Sequence, residues 1–500
     1  MLNQLKVLQN GTDIRGIAID HEDKKANLTF ESVKSISCGF VKWLGEKMNV
    51  NSSELKIAVG MDSRLSGPKI KDSVIQELIN LGCSVYDCKM CTTPAMFMTT
   101  ILKGCECDGA IMITASHLPY YYNGMKFFTK EGGCEKEDIT NIISKSSVQK
   151  YGKLQNKGKV YKIDFISEYS NLLVNMIRKG VSSSQNYDKP MSGFKIVVDA
   201  GNGAGGFFAH KVLEVLGADI TQSQFIEPDG RFPNHIPNPE SEEAMESIKN
   251  AVLKSNADLG IIFDADVDRA AIVDSSGTEI NKNTLIALIS SIILEEHPGT
   301  TVVTDSVTSI GLSEFISELG GIHHRFKRGY KNVINEAKRL NDEGKECYLA
   351  IETSGHAALK QNYFLDDGAY LVSKILIKMA KLNFEGKNIH SLIEKLKVPV
   401  ESSEHRINIK SDSFQKVGKS VLQELKGYAQ EMEGWSIVPN NYEGIRVNCD
   451  KSSGNGWFLL RMSLHEPVLV FNVESDSNGG TKIAADNLKP LLCKYKELDI

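Results

Sequence analysis

The chain has 500 residues, a formal net charge of −5, 41% hydrophobic residues and 24% charged residues. Its length implies three or four domains, and its slightly acidic charge argues against a nucleic-acid-binding surface. No apolar run approaches the ~18 residues of a membrane span, and the first residues lack the apolar core of a signal peptide, so we expect a cytoplasmic protein.

The first third of the chain alternates short apolar runs with amphipathic stretches, which is typical of an α/β layer. We predict strands at 56–60, 84–86 and 109–114, and helices at 68–81 and 164–180. A polar connector at 149–159 separates the two helices, and residues 182–188 read as a loop.

The rest of the chain repeats this pattern and then changes. We predict strands at 195–198, 259–263, 301–304 and 348–351, and helices beginning near 281 and spanning 367–382. After about residue 398, strands separated by turns are predicted at 446–448, 456–462 and 467–473. The predicted fold class is α/β, with three similar consecutive α/β/α domains with mixed sheets and a C-terminal α+β domain around a central cleft. The predicted boundaries are 1–155, 156–278, 279–397 and 398–500.

Ten cysteines in a chain of this length do not form a disulfide framework. Cys88 and Cys91 are followed by Cys105 and Cys107, a pattern that raises metal binding or dithiol chemistry as an alternative. Because the second pair has a single-residue spacer, it fits zinc spacing poorly, and we predict buried, reduced thiols.

The most informative segment is Asp264-Ala265-Asp266-Val267-Asp268-Arg269, which directly follows a predicted buried strand. Three carboxylates this close would repel one another unless a cation lay among them, and Mg²⁺ prefers oxygen ligands and leaves positions open for a phosphate. An EF-hand is excluded because Arg269 occupies its glycine position and Ser275 its bidentate glutamate position. The segment therefore indicates phosphate chemistry, with a solvated acidic turn as the alternative.

A second segment, residues 114–127, reads as a loop after a strand and contains Ser116, His117 and Lys126. It lacks the G-x-S-x-G motif of hydrolases. A hydroxyl near a metal and a lysine could instead accept and return a phosphoryl group. An ordinary polar turn is the alternative.

Two later segments carry groups suited to a phosphorylated sugar. Glu352-Thr353-Ser354-Gly355-His356 follows a strand and offers short polar side chains, although a helix-capping turn would look similar. Residues 461–467, with Arg461 and Ser463, could form a phosphate-binding turn close in sequence to Arg446.

A glycine-rich segment, residues 201–206, follows a strand and precedes Glu227 by the spacing of a dinucleotide-binding fingerprint. Asp199 lies directly before it, and its negative charge would oppose a pyrophosphate. We therefore predict a structural turn and keep NAD(P) binding only as a distant alternative.

In their order along the chain, these segments resemble the α-D-phosphohexomutase superfamily, in its phosphomannomutase/phosphoglucomutase branch. Further segments with the same resemblance are 11–16, 59–64, 198–203, 228–240, 329–331 and 366–368. The resemblance implies a Mg²⁺-dependent enzyme that interconverts hexose 1-phosphate and 6-phosphate through a phosphoserine and a hexose 1,6-bisphosphate.

The resemblance also implies roles for individual residues. Catalysis would involve Ser116 as the phosphoryl carrier, Lys126 as general base, and His117, Arg15 and Arg269. The metal ligands would be Ser116, Asp264, Asp266 and Asp268. The phosphosugar would be bound by Lys331, Glu352, Ser354, His356, Arg446, Arg461, Ser463 and His465.

The chain departs from the common family pattern at several positions: Leu118, Ala265, Val267, Val307, Tyr330 and Leu464-His465. Phosphoglucosamine mutase and a non-catalytic phosphosugar-binding relative therefore stay open as alternatives. The sequence leaves the preferred sugar open among glucose, mannose and glucosamine, and it does not distinguish a monomer from a dimer.

Overall fold

The structure is a computed structural model that describes residues 2–146, 157–183, 186–463 and 466–500. Most of the predicted connector at 149–159, part of the predicted loop at 182–188 and His465 lie outside these ranges. Within the described ranges, no helix is both long and apolar enough to cross a membrane.

The N-terminal part of the chain, to residue 181, alternates helices and strands. Its helices are α1 Leu2–Lys6, α2 Phe30–Met48, α3 Gly67–Asn80, α4 Thr93–Met98, α5 Lys136–Ser146 and α6 Phe165–Val181. Its strands are β1 Gln9–Asn10, β2 Asp13–Ile17, β3 Lys56–Met61, β4 Ser84–Met90, β5 Gly109–Ile113, β6 Tyr122–Thr129, β7 Gly132–Gly133 and β8 Val160–Lys162.

Three further groups of elements follow. Residues 186–281 form β9 Ile196–Asp199, a π-helix Phe208–Leu213, α7 Glu242–Ser255, β10 Leu259–Phe263, β11 Ala270–Asp274 and β12 Glu279–Ile280. Residues 282–397 form α8 Lys282–Glu296, β13 Thr301–Thr304, α9 Ile310–Glu318, β14 Ile322–Arg325, α10 Tyr330–Asp342, β15 Cys347–Ile351, β16 Ala357–Leu359, β17 Leu365–Asp366 and α11 Gly368–Phe384. Residues 398–500 form β18 Glu401–Ile409, α12 Phe414–Glu431, β19 Trp435–Ile437, β20 Ile445–Cys449, β21 Gly456–Met462, β22 Val468–Ser475, α13 Gly480–Leu492 and β23 Leu498–Asp499.

The chain divides into two compact units. The first consists of Met1–Asn281 and Ser354–His390, and the second of Lys282–Thr353 and Ser391–Ile500. The first unit has one mixed sheet in the order β1-β2-β6-β5-β3-β4-β8 and another in the order β12-β11-β10-β9. Strands β5 and β10 are buried along their whole length, which explains their continuous apolar sequences.

The second unit contains three parallel strands in the order β14-β13-β15 and an antiparallel sheet in the order β19-β20-β21-β22-β18-β23. An apolar core of this antiparallel sheet includes Phe458, Leu460 and Phe471 and lies against helices α12 and α13. The predicted fold class is confirmed: three α/β/α domains with mixed sheets precede a C-terminal domain of strands and helices.

One local prediction is wrong. The sequence predicts a loop within residues 114–127, but Asn123 and Gly124 lie inside strand β6, between β5 and β2. A Cβ atom on Gly124 would come within 2.1 Å of the Ile14 carbonyl oxygen and 2.8 Å of the Thr114 carbonyl oxygen. The glycine therefore permits close backbone approach inside the sheet, where a turn was expected.

Candidate functional site

The Ser116 loop begins where buried strand β5 ends. Ser116 has a positive φ of 52°, and its backbone N–H donates to the Thr114 hydroxyl at 2.9 Å. The Thr114 hydroxyl in turn donates to Asp62 Oδ2 at 2.7 Å. This chain of bonds holds a non-glycine residue in the left-handed region, which is a feature of strained functional sites.

The buried side chain of Arg64 holds the Ser116 loop in place through hydrogen bonds to its backbone. Its side chain is fully buried and forms an ion pair with Asp62. The guanidinium donates to the backbone carbonyls of Ser116, Leu118 (2.7 Å), Pro119 (2.9 Å) and Tyr122 (3.0 Å). Sequence reasoning singled out 59–64 only as a segment of resemblance and did not assign this structural role to Arg64.

The acidic loop joins β10 to β11 and meets the Ser116 loop. The Ser116 hydroxyl donates to Asp264 Oδ2 at 3.0 Å, although 148 positions separate the two residues in the chain. Arg269 Nη2 donates to Ser116 Oγ at 3.2 Å and to Asp264 Oδ2 at 3.1 Å. The structure thus brings together the hydroxyl, the carboxylate and the guanidinium that the sequence singled out.

Lys126 reaches the same cluster from strand β6. Its ammonium group donates to Asp266 Oδ2 at 2.9 Å and to Asp268 Oδ2 at 2.5 Å. Thr93, at the start of α4, binds Asp266 twice, through its hydroxyl and through its backbone N–H, which donates to the Asp266 carbonyl. Sequence reasoning missed Thr93; the only signal is a Thr-Pro dipeptide at a helix start.

The cluster contains more negative than positive charge. Oxygen atoms of Asp264, Asp266 and Asp268 lie within 4.8 Å of one another, and all three side chains are buried. Burial and the two neighbouring carboxylates raise the pKa of Asp264 well above its usual range. The pKa of Asp268 is lowered despite its burial, because the positive charges of Lys126 and Arg269 stabilise its carboxylate form.

This donor set fits a hard divalent cation. Among the described residues, Asp266 Oδ1 and Asp268 Oδ1 are buried without a hydrogen-bond partner. Unpaired buried carboxylate oxygens are unfavourable, and oxygen ligands at this spacing are those that Mg²⁺ prefers. The residues could therefore hold a metal ion.

The other two residues predicted at the transfer site also lie nearby. His117 Nδ1 accepts a hydrogen bond from Arg269 Nη2 at 2.6 Å and lies 3.3 Å from Ser116 Oγ. Burial, together with Arg269 and Arg15, lowers the pKa of His117 to about 2, so its imidazole is neutral at physiological pH. Arg15 lies on β2 opposite Gly124 of β6 and pairs with Asp13 at 3.0 Å.

The glycine-rich turn at 201–206 supports the acidic loop. A Cβ on Gly203 would lie 2.7 Å from Ala265 Cα, and Ala204 N–H donates to the Ala265 carbonyl at 2.8 Å. Asp199 accepts hydrogen bonds from Gly201 N–H at 2.9 Å and from the buried His235 ring at 3.1 Å. These contacts agree with the predicted structural turn.

Two residues of the predicted sugar-recognition segment lie in the first unit. Ser354 Oγ and His356 Nδ1 are 2.9 Å apart, and His356 Nε2 lies 3.6 Å from Asp268 Oδ1. Burial lowers the pKa of His356 to about 3. His356 therefore faces the acidic loop as a neutral imidazole.

In the second unit, Glu352 and Lys331 both lie near the start of helix α10. Glu352 is buried, and its Oε1 accepts a hydrogen bond of 2.6 Å from the N–H of Gly329, the residue preceding the helix. Lys331 lies in the first turn of α10. This hydrogen bond at the start of a helix is the kind of contact expected from the alternative of a helix-capping turn.

The predicted phosphate-binding turn presents a buried cation. Arg461 lies on β21, is 6% exposed and, within the described ranges, has no hydrogen-bond partner for Nε. Its Nη1 lies 3.8 Å from Glu443 Oε1. Ser463 follows β21, and its N–H donates to the Val468 carbonyl at 2.9 Å. His465, predicted to contribute here, lies outside the described residues.

Arg446 occupies a different environment from the one predicted. It is 1% exposed, and its guanidinium donates to the carbonyls of Ser306 at 2.7 Å and Thr308 at 2.9 Å. The guanidinium carbon lies 3.5 Å from the centre of the Trp457 ring. Because backbone carbonyls and an aromatic ring surround it, these contacts are those of a structural residue, and its role as a phosphosugar ligand stays a prediction.

Comparisons with known proteins agree with this architecture. Residues 6–152, 168–277 and 281–398 match the family models described as Phosphoglucomutase/phosphomannomutase, alpha/beta/alpha domains I, II and III. A phosphomannomutase/phosphoglucomutase of Pseudomonas aeruginosa is 31% identical over 470 residues, covering 93% of this chain and 91% of that protein. A phosphoglucomutase of Neisseria gonorrhoeae is 29% identical over 87% of this chain and 88% of its own length.

A solved structure shares the fold over nearly the whole chain. The phosphoglucomutase/phosphomannomutase family protein of Burkholderia thailandensis superposes with a TM-score of 0.78 at 25% identity, covering 97% of this chain and 96% of that chain. The chain therefore belongs to the α-D-phosphohexomutase superfamily, in its phosphoglucomutase/phosphomannomutase family.

Proposed function

We propose that the protein is a Mg²⁺-dependent phosphohexomutase that interconverts the 1- and 6-phosphates of glucose or mannose. The observation that carries the proposal is the position of the Ser116 hydroxyl, 3.0 Å from Asp264 Oδ2 and 3.2 Å from Arg269 Nη2. The names of the relatives at 29–31% identity support the same activity.

In this proposal Ser116 carries the transferable phosphoryl group. Asp264, Asp266 and Asp268, with an oxygen of the phosphoserine, would hold Mg²⁺, which neutralises phosphate charge when bound. Arg269 already points two nitrogen donors towards Ser116 Oγ and Asp264, so it can stabilise the charge of a phosphoryl group on the serine without moving far.

Lys126 is the proposed general base for the attacking sugar hydroxyl. Its ammonium form is stabilised by hydrogen bonds to Asp266 and Asp268. A lysine loses its proton more readily when nearby carboxylates are engaged by another cation, because the charged form then loses its partners. Occupation of the acidic loop would therefore favour the neutral amine that a base requires.

The second unit supplies the proposed contacts to the phosphate that is not reacting. Arg461 and Ser463 would hold it, while Lys331 and Glu352 would bind sugar hydroxyls, as would Ser354 in the first unit. Within the part of the chain that the structure describes, the buried Nε of Arg461 has no acceptor, and this supports an anion there because a desolvated guanidinium donor is unfavourable without one. The reaction would pass through a hexose 1,6-bisphosphate.

Replacing the serine tests the proposal directly. We expect Ser116→Ala to abolish turnover of glucose 1-phosphate and mannose 1-phosphate, with Mg²⁺ and glucose 1,6-bisphosphate present, while the fold is kept. Ser73→Ala is the matched control, because the Ser73 hydroxyl bonds only the Lys69 carbonyl of its own helix α3 in the hydrogen bonds observed among the described residues. After incubation with the bisphosphate, the wild-type protein should gain about 80 Da on Ser116. Full activity of the alanine variant would refute the phosphoserine mechanism. Phosphosugar binding without turnover by the wild-type protein would identify a non-catalytic relative.

The choice of sugar needs a separate assay. A single hydroxyl contact changes discrimination by only about 1–3 kcal/mol, so glucose, mannose and glucosamine phosphates must be compared on the same enzyme preparation. A kcat/KM at least tenfold higher for glucosamine 1-phosphate would favour phosphoglucosamine mutase.

A further inference from the structure

Cys105 and Cys107 form a close pair of thiols in the loop between α4 and β5. Their sulfur atoms are 3.6 Å apart, close enough for a thiol hydrogen bond. The structure confirms that Cys88, Cys91 and Cys107 are buried and that these thiols are free. Cys105 differs because it is only half-buried, so solvent can reach one member of the pair.

The loop backbone holds the two sulfurs together. Glu106, the residue between them, has a positive φ of 39°, and the N–H groups of Cys105 and Glu106 both donate to the Leu102 carbonyl at 3.2 Å. The Cys107 N–H donates to the Thr99 carbonyl at 2.9 Å, which ties the second cysteine to the end of α4. In an extended segment, side chains two positions apart would also lie on one face. The hydrogen-bonded turn additionally fixes the distance between the two sulfur atoms.

The local chemistry distinguishes the two thiols. The hydrogen bond from Cys107 lowers the pKa of Cys105, with Lys56 contributing in the same direction. The same hydrogen bond and burial raise the pKa of Cys107. Cys105 therefore has the features of an attacking thiolate, namely exposure and a lowered pKa, and Cys107 those of a resolving thiol.

We propose that Cys105 and Cys107 are a redox modification site, which hydrogen peroxide converts into an intraloop disulfide. The Cys105 thiolate attacks one peroxide oxygen, the O–O bond breaks, and one water and a sulfenic acid form. Cys107 then attacks the Cys105 sulfur, forming the S–S bond and releasing the second water. Two thiols are oxidised and one peroxide is reduced to two waters. The sulfurs must approach by only about 1.5 Å to reach disulfide bonding distance.

Zinc binding by Cys105 and Cys107 has less support from the structure than their oxidation. Among the described residues, the groups whose ligand atoms lie together at metal-binding distance are two clusters of carboxylates and a histidine, and neither contains a cysteine. The geometry therefore points to thiol oxidation at this loop.

Peptide mapping of the full-length protein tests the proposal. Trypsin cleavage after Lys103 and Lys126 releases residues 104–126, a peptide with Cys105 and Cys107 as its two cysteines. After limited hydrogen peroxide and alkylation with iodoacetamide, we expect this peptide to lose about 2 Da and to carry no alkyl group. A subsequent treatment with dithiothreitol should restore two alkylation sites.

Matched variants separate the two roles. Cys107→Ser should leave a Cys105 sulfenic acid that dimedone traps, and Cys105→Ser should protect Cys107 from peroxide. Cys493, which is exposed and outside the pair, is the internal control, and Cys493→Ser should not change the result. The proposal is overturned if the wild-type peptide remains fully alkylated, if Cys105 proceeds to sulfinic acid without a crosslink, or if Cys105 reacts no faster than Cys493.

Discussion

Replacing Arg446 tests whether this buried arginine of the second unit stabilises the fold. Removing the side chain in Arg446→Ala leaves the carbonyls of Ser306 and Thr308 without their donors. Each unpaired buried acceptor is unfavourable by about 1–3 kcal/mol. Loss of the stacking on Trp457 adds about 1–2 kcal/mol. We therefore expect the free energy of unfolding to fall by roughly 3–8 kcal/mol.

Urea unfolding followed by tryptophan fluorescence measures this loss, because Trp457 reports on the same site. Arg446→Lys should be intermediate, since an ammonium group keeps the charge but lacks the planar fork that serves two carbonyls. Arg406→Ala is the matched control: Arg406 is 48% exposed and pairs with Glu466, so its loss should change stability by less than about 1 kcal/mol. An Arg446→Ala variant with unchanged stability and lost phosphosugar binding would refute the structural assignment.

Three further predictions concern charge. Mg²⁺ at 100 times its dissociation constant should stabilise the protein by about 2.7 kcal/mol and so raise its melting temperature. Asp266→Asn should abolish most of this rise, which scanning calorimetry measures. An equal rise in the variant would exclude the acidic loop as the Mg²⁺ site. Glu443→Gln removes the carboxylate that faces Arg461 at 3.8 Å, so calorimetric titration should show glucose 1-phosphate binding about two- to tenfold more tightly, and unchanged or weaker binding would contradict the idea. Burial raises the folded-state pKa of Asp367 to about 6 from 3.8, so its contribution to stability is fully present below pH 3.8 and is lost as the pH rises through about 6. Asp367→Asn keeps the side-chain cap of α11 and should remove up to about 3 kcal/mol of that pH dependence. If the free energy of unfolding falls equally with rising pH in the wild-type and variant proteins, this prediction is wrong.

The sequence indicated that Ser116 and Asp264 follow buried strands, and it did so for a topological reason. Ser116 and Asp264 each follow a continuous apolar run, β5 and β10, and polar residues at strand ends are where α/β proteins place their chemistry. A short continuous apolar run indicates such a strand, because each strand is buried on both faces. The pattern could not show that the two strand ends, which belong to different sheets of the first unit, come within hydrogen-bonding distance.

Two arginines of the second unit look alike in the sequence but have different surroundings in the structure. Arg446 and Arg461 both lie on strands of an antiparallel sheet, yet Arg446 donates to two carbonyls, whereas Arg461 Nε has no hydrogen-bond partner among the described residues. The difference depends on Ser306 and Thr308, about 140 positions away in the chain. No local pattern encodes which of the two guanidinium groups meets backbone carbonyls.

Val267 shows how a local rule and the packed structure can conflict. Its φ of 67° lies in the left-handed region, which disfavours β-branched residues and costs about 1–2 kcal/mol. The side chain is nevertheless completely buried, and burying a valine contributes about 1.5–3 kcal/mol. Its carbonyl also accepts a hydrogen bond of 3.1 Å from Gly368 N–H at the start of α11. Burial thus offsets the backbone strain, which explains how the acidic loop keeps its shape with valine where the family pattern has glycine.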